Sequence, residues 1–193
     1  MRLYLVRHPQ TLAAKTICYG STDVAVAEDE LARVAAALHA RLPSSLPMVS
    51  SPLRRCRELA ELLGDGRQYS IDARLAEMHF GDWEGRDWNS IARNEIDAWV
   101  ADLAGYQPGG GESVLQMAQR VQSVRDDLLR QNQDCIVICH AGTIRLMLAL
   151  QPGVTLAETA LQAASTSHAI AYGELVVIDM DGELHRTSQQ VQR

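Results

Sequence analysis

The sequence predicts an α/β fold: a three-layer α/β/α sandwich around a mostly parallel sheet, with an antiparallel strand near the C-terminus. Three observations predict it. Short apolar runs alternate with longer stretches whose apolar residues recur at helical spacing. The runs RLYLV (2–6) and CIVIC (135–139) lack the polar alternation of a half-exposed strand, as expected of strands covered on both faces. Finally, 193 residues with 47% hydrophobic content suffice for one full-sized core, so a single domain over 1–193 is expected.

In chain order, RLYLV opens as a strand and runs straight into Arg7, His8 and Pro9. Leu31, Val34, Ala35, Leu38 and Leu42 then mark a helix, PMVS (47–50) a second strand, and Leu53, Cys56, Leu59, Ala60 and Leu63 a second helix. The stretch YQPGGGES (106–113) is short enough to be a loop inside the domain. Val114, Ala118, Val121, Val124 and Leu128 follow it at helical spacing. CIVIC forms the third strand and AGTIRLMLAL has the pattern of the next helix. ELVVID (174–179) closes the series as a strand, with Asp181-Gly182 as a hairpin turn.

Charge narrows the function. A formal net charge of -6 argues against a nucleic-acid or anionic-membrane surface, either of which needs a basic face. No stretch has the layout of a signal peptide and no apolar run is long enough to cross a bilayer, so a cytoplasmic protein is expected. Cys18, Cys56, Cys135 and Cys139 show neither CxxC pairs nor disulfide density, and reduced thiols are the simplest account. Cys135 and Cys139 share a strand face but lie ~13 Å apart at about 3.3 Å per residue, too far to share a metal easily. No HExxH, acidic ligand cluster or P-loop occurs, so no metal and no cofactor is expected.

In open α/β sheets, ligands sit beyond the carboxyl ends of the strands. Three such ends carry suggestive residues: Arg7 and His8 after the first strand, an arginine-rich helix start after the second, and His140 after the third. Each is ordinary alone. Together, two histidines with nearby arginines suit a phosphate site, because guanidinium forks match phosphate oxygens and helix N-termini add donors.

LYLVRHPQT, SSPLRRCRELA, RLAEMHFGDWEG and VICHAGTIR, in that order, resemble the motifs of the histidine phosphatase (phosphoglycerate mutase-like) superfamily. PGGGES fits its G-E-S loop, and together these segments span nearly the whole chain. CYGSTDVAVA (18–27) and HAIAYGEL (168–175) look most like its α-ribazole phosphatase branch, which acts in cobalamin nucleotide-loop assembly. A broad phosphomonoesterase shares these softer signals. The resemblance implies a metal-independent phosphomonoesterase acting on a small-molecule phosphomonoester. In it His8 is the nucleophile, Glu77 the proton donor, His140 the second pocket histidine, and Arg7 and Arg55 the phosphate clamp. Thr11, Tyr19, Gly20 and Ala141 would contact substrate. Glu84 and Asp82 compete with Glu77 as acid, and only the resemblance chooses among them.

Two departures from the pattern stand out. Pro9 replaces the glycine that usually follows the nucleophile and removes one backbone N–H. Ala14 replaces an asparagine often found six residues after it. Both leave open a rival class, a phosphate-binding homologue with weak or no turnover.

Overall fold

The computed structural model describes residues 1–166 and 170–180. Its strands are β1 (Arg2–Arg7), β2 (Met48–Ser50), β3 (Ser70–Ile71), β4 (Cys135–Cys139) and β5 (Leu175–Asp179). They form one sheet in the order β3-β2-β4-β1-β5. Every pairing is parallel except β1 with β5, which is antiparallel. The mostly parallel sheet and its C-terminal antiparallel strand are therefore as expected. The Asp181-Gly182 turn lies outside the described residues.

Side-chain alternation along the central strands builds two cores, one on each face. Leu3 and Leu5 of β1, with Cys135, Val137 and Cys139 of β4, pack on one face. Helices α4 (Val114–Gln131), α5 (Ala141–Ala149) and α6 (Leu156–Ser165) cover it. Val6, Ile136 and Ile138 point to the other face, against α1 (Glu28–His39) and α2 (Arg54–Gly64). Period-two alternation with apolar residues on both faces explains why β1 and β4 read as unbroken apolar runs. At ~1.5–3 kcal/mol per buried aliphatic side chain, these two layers hold the sheet edge in place.

The predicted helices are present, with adjusted ends. α1 stops at His39, so Leu42 lies past the helix while still packing on the α1–α2 core. Leu53 caps α2 rather than starting it. Among the strands and α-helices, three were not foreseen: β3, α6 and α3 (Arg93–Ala101). β3 is two exposed residues, and α3 buries none of its residues fully, so neither leaves a clear apolar period.

Candidate active site

The sheet register sets the site. Arg7 pairs with Cys139 across β1–β4, and Ser50 with Ile138 across β2–β4. Hydrogen bonding continues one residue past the strands: His8 N donates to the Cys139 carbonyl (3.1 Å) and Ser51 N to that of Ile138 (2.9 Å). Three adjacent carboxyl ends thus deliver His8, Ser51 and His140 side by side.

His8 is nearly fully buried, and its Nδ1 lies 2.7 Å from the Pro9 carbonyl oxygen. A carbonyl only accepts, so Nδ1 carries the proton and Nε2 keeps the lone pair. Burial pushes the His8 pKa well below the ordinary histidine value; Arg55 and Arg7 push the same way, against the Pro9 carbonyl. The ring is therefore a neutral base of fixed tautomer. His140 has no exposed surface; its ring centroid lies 5.1 Å from that of His8, and its Nε2 sits 2.7 Å from Ser51 Oγ. Burial, then the neighbouring His8 and arginines, lowers its pKa strongly as well.

Arg55, in the first turn of α2, is completely buried without a carboxylate partner among the described residues. Its terminal nitrogens donate to the carbonyls of Thr22 (2.8 Å) and Gly20 (2.5 Å), while Nε has no acceptor. Arg7 is similar: one terminal nitrogen donates to the Ile170 carbonyl (2.5 Å), its guanidinium carbon lies 3.8 Å from the centre of the Tyr172 ring, and Nε is unpartnered. A buried guanidinium and a half-buried one, neither with a carboxylate partner among the described residues, suit an oxyanion.

Glu77 and its competitors separate by environment. Glu84 accepts hydrogen bonds from the backbone N–H and hydroxyl groups of Ser21 and Thr22 and from Phe80 N. Burial alone would raise its pKa, but these five donors hold it down to about 2. An acid so hard to protonate cannot deliver a proton near neutral pH. Asp82 is exposed and lines no part of the cavity described next. Glu77 does line it, with Oε1 accepting from Met78 N (3.0 Å) and Oε2 from Gly142 N (3.1 Å).

That cavity, about 250 Å³, is lined by Arg7, His8, Arg55 and Glu77, with Thr11 and Tyr19 at its side. His140, Gly20 and Ala141 are not among its lining residues. Gly20 acts through close approach: a Cβ there would lie 1.8 Å from the Met78 carbonyl oxygen. Ala141 is the first residue of α5, and the His140 ring packs beside that of His8. Ala14 is exposed, while its neighbour Ala13 lines the cavity.

Sequence reasoning missed Gln10, Ala13, Lys15, Ile17 and Tyr172 in the lining. Tyr172 belongs to the quoted HAIAYGEL segment and bonds through its hydroxyl to that of Tyr19 (3.2 Å), which in turn accepts from Thr11 (2.9 Å). Lys15 is the only lysine in the chain, a signal that could have found it. Trp83, Trp88 and Trp99 cluster with Phe80 and Tyr106 in a third small core, and Trp88 also reaches the cavity wall.

The model of the histidine phosphatase superfamily (branch 1) matches residues 3–184. The chain belongs to that superfamily. Among this histidine phosphatase's relatives, a glucosyl-3-phosphoglycerate phosphatase of Mycolicibacterium vanbaalenii is 33% identical, over 79% of this chain and 75% of the relative. The adenosylcobalamin/α-ribazole phosphatase of Salmonella typhimurium is 31% identical, over 77% and 78%. The crystal structure of the α-ribazole phosphatase from Shigella flexneri superposes with a TM-score of 0.78 at 26% identity, covering 93% of this chain and 90% of that one. The relatives named are phosphatases, and they differ in substrate.

Proposed function

We propose that this chain hydrolyses a small phosphomonoester through a phosphohistidine on His8. One observation carries the reading: a histidine locked with its lone pair on Nε2 lines a cavity shared with the buried Arg55 and the half-buried Arg7, neither of which has a carboxylate partner among the described residues. A phosphomonoester dianion repels nucleophiles, so its oxygens must be neutralised and its phosphorus aligned with the attacker. Arg7 and Arg55, both in the cavity wall, supply the charge. Nε2 of His8 attacks phosphorus in line, and Glu77 protonates the departing alkoxide. Water then attacks the phosphohistidine, with Glu77 taking its proton. No step in this scheme calls for a metal ion.

The resemblance makes His140 the second pocket histidine; its full burial with its ring 5.1 Å from that of His8 supports a role in holding the His8 ring in place. Pro9 lacks an N–H, yet its carbonyl supplies the hydrogen bond that sets the His8 tautomer.

For the substrate, α-ribazole 5′-phosphate is the leading reading. Its ring system suits a cavity walled by Tyr19, Trp88 and Tyr172, and the Salmonella and Shigella relatives support it. A second reading, a phosphomonoester bearing a carboxylate, is favoured by Lys15 at the cavity wall and by the glucosyl-3-phosphoglycerate phosphatase relative. A substrate panel containing α-ribazole phosphate, 3-phosphoglycerate, phosphoserine and p-nitrophenyl phosphate, run with and without chelator, separates these. Preference for the first supports the leading reading, preference for the carboxylated pair supports the second, and flat rates indicate a generalist. No turnover of any compound would leave only a phosphate-binding protein.

A further inference from the structure

Arg120 lies on α4, outside the cavity that holds His8, and spends all five of its N–H groups, two on Glu112 and three on backbone carbonyls of residues 74 to 77. Nε and one terminal nitrogen form a two-pronged ion pair with Glu112, at 2.7 Å each. The other terminal nitrogen donates to the carbonyls of Arg74 and Ala76, also at 2.7 Å, and the remaining N–H reaches the carbonyl of Glu77 at 3.3 Å. Only a guanidinium has the donors and planar geometry for this set.

Glu112 completes the brace from the opposite side. Its backbone N–H donates to the His79 carbonyl (2.7 Å), and its Oε2 accepts from His79 N (3.4 Å). The preceding Gly111 packs so closely that a Cβ would lie 2.2 Å from the His79 carbonyl oxygen. Residues 74 to 79 are thus gripped by α4 and its N-terminal loop on both sides of Glu77.

The grip matters because Glu77 has open space on two flanks. It lines the His8 cavity, and it also lines a second cavity of about 410 Å³ bordered by His79, Glu112, Gln116 and Arg120. A side chain that borders two cavities has packing on only part of its surface, including its contact with Gly142. Its position comes from its two backbone donors, Met78 N and Gly142 N, and from where its own backbone is held.

We propose that Arg120, paired with Glu112, is a positioning residue that sets the Glu77 carboxyl at the leaving-group oxygen. The proposal rests on the reading of Glu77 as proton donor. General acid catalysis matters most for poor leaving groups: an alkoxide needs a full proton, whereas p-nitrophenolate departs almost without one. Loss of a positioning residue for the acid must therefore be selective. General loosening of the fold would not be.

The test compares Arg120→Met, Arg120→Lys and Glu77→Gln with the parent protein on glycerol phosphate and p-nitrophenyl phosphate. The quantity read is the rate of the first phosphoryl transfer, because hydrolysis of the phosphohistidine needs Glu77 whichever substrate made it. For Arg120→Met, transfer from glycerol phosphate should fall about 10- to 100-fold and transfer from p-nitrophenyl phosphate by less than about 2-fold. Arg120→Lys, which keeps the charge but not the fork, should behave like Arg120→Met. Equal losses on both substrates, or no loss on either, overturn the proposal. If Arg120→Met fails to fold, Glu112→Gln, which leaves the three carbonyl contacts of Arg120 available, is held to the same pattern at smaller amplitude. Absence of selectivity in Glu77→Gln itself would instead defeat the reading of Glu77. Selectivity there but not in the Arg120 and Glu112 variants would defeat only the positioning role.

Discussion

A Cβ on Gly142 would lie 2.3 Å from Oε1 of Glu77, so the carboxyl occupies the space that any other residue at 142 would fill. Gly142 also donates its N–H to the other carboxyl oxygen, at 3.1 Å. Helix geometry alone would favour alanine here, by less than the ~1 kcal/mol of a helix interior because Gly142 is only the second residue of α5. Gly142→Ala should therefore leave thermal stability level or raised, while displacing the carboxyl. Turnover of alkyl phosphates should drop about 10- to 100-fold. Steady-state kinetics beside a melting curve check this; unaltered turnover would mean that the position of Glu77 is immaterial.

The buried histidines fix a pH dependence of stability. His8 and His140 both have pKa values well below ordinary, mainly through burial. Between those native values and the ordinary ~6.5, the unfolded chain binds more protons than the native one. Stability is therefore at its full value above pH ~6.5 and declines as the pH falls below it. Melting temperature should decrease between pH 7 and 5, above the range where carboxylates titrate, and the decrease should be shallower in His8→Asn. A flat or rising profile would contradict the burial of neutral imidazoles. By the same logic, activity should show no loss centred on pH 6.5 from protonation of His8.

Glu84 carries a structural prediction. Its carboxylate ties down Ser21 and Thr22, and the carbonyls on either side, those of Gly20 and Thr22, receive Arg55. With its pKa held at about 2, it contributes stability that is present above the ordinary carboxylate range and lost as the pH falls toward that value. Glu84→Gln should cost about 1–2 kcal/mol in urea unfolding, after allowance for its partial exposure. It should also weaken inhibition by inorganic phosphate, because the Arg55 anchor loosens. A variant with unchanged stability and phosphate affinity would show that the loop does not depend on this carboxylate.

The parts of this molecule legible in the sequence are those with one dominant period or one strand-end signature. β1 and β4 stand out because both faces are apolar, and the placement of Arg7, His8 and His140 follows from strand ends alone. The rest depends on what the chain meets in space. α6 carried a readable signal, since Thr155 and Glu158 form a capping box at its start. α3 did not, being anchored mainly by Ile96 and Trp99 in the aromatic cluster. Tyr172 comes to Arg7 from 165 positions away, because β5 lies beside β1 in the sheet. In RLAEMHFGDWEG residue chemistry leaves Glu77, Asp82 and Glu84 open and only the family resemblance chooses Glu77; the environment that separates Glu84 comes from five donors, four of them from residues 21 and 22. Arg120 was legible only as one more polar residue on a helix face.

The central claim is that Nε2 of His8 becomes covalently phosphorylated. The protein is mixed briefly with excess p-nitrophenyl phosphate and quenched in alkaline denaturant, because phosphohistidine hydrolyses in acid. Peptide mapping by mass spectrometry, with phosphorus NMR to distinguish the two ring nitrogens, then locates any phosphoryl group. The account predicts phosphate on His8, attached at Nε2, in amounts approaching one per active chain when release is slowed by Glu77→Gln. Turnover with no phosphate on residue 8, or phosphate on His140 instead, would contradict it.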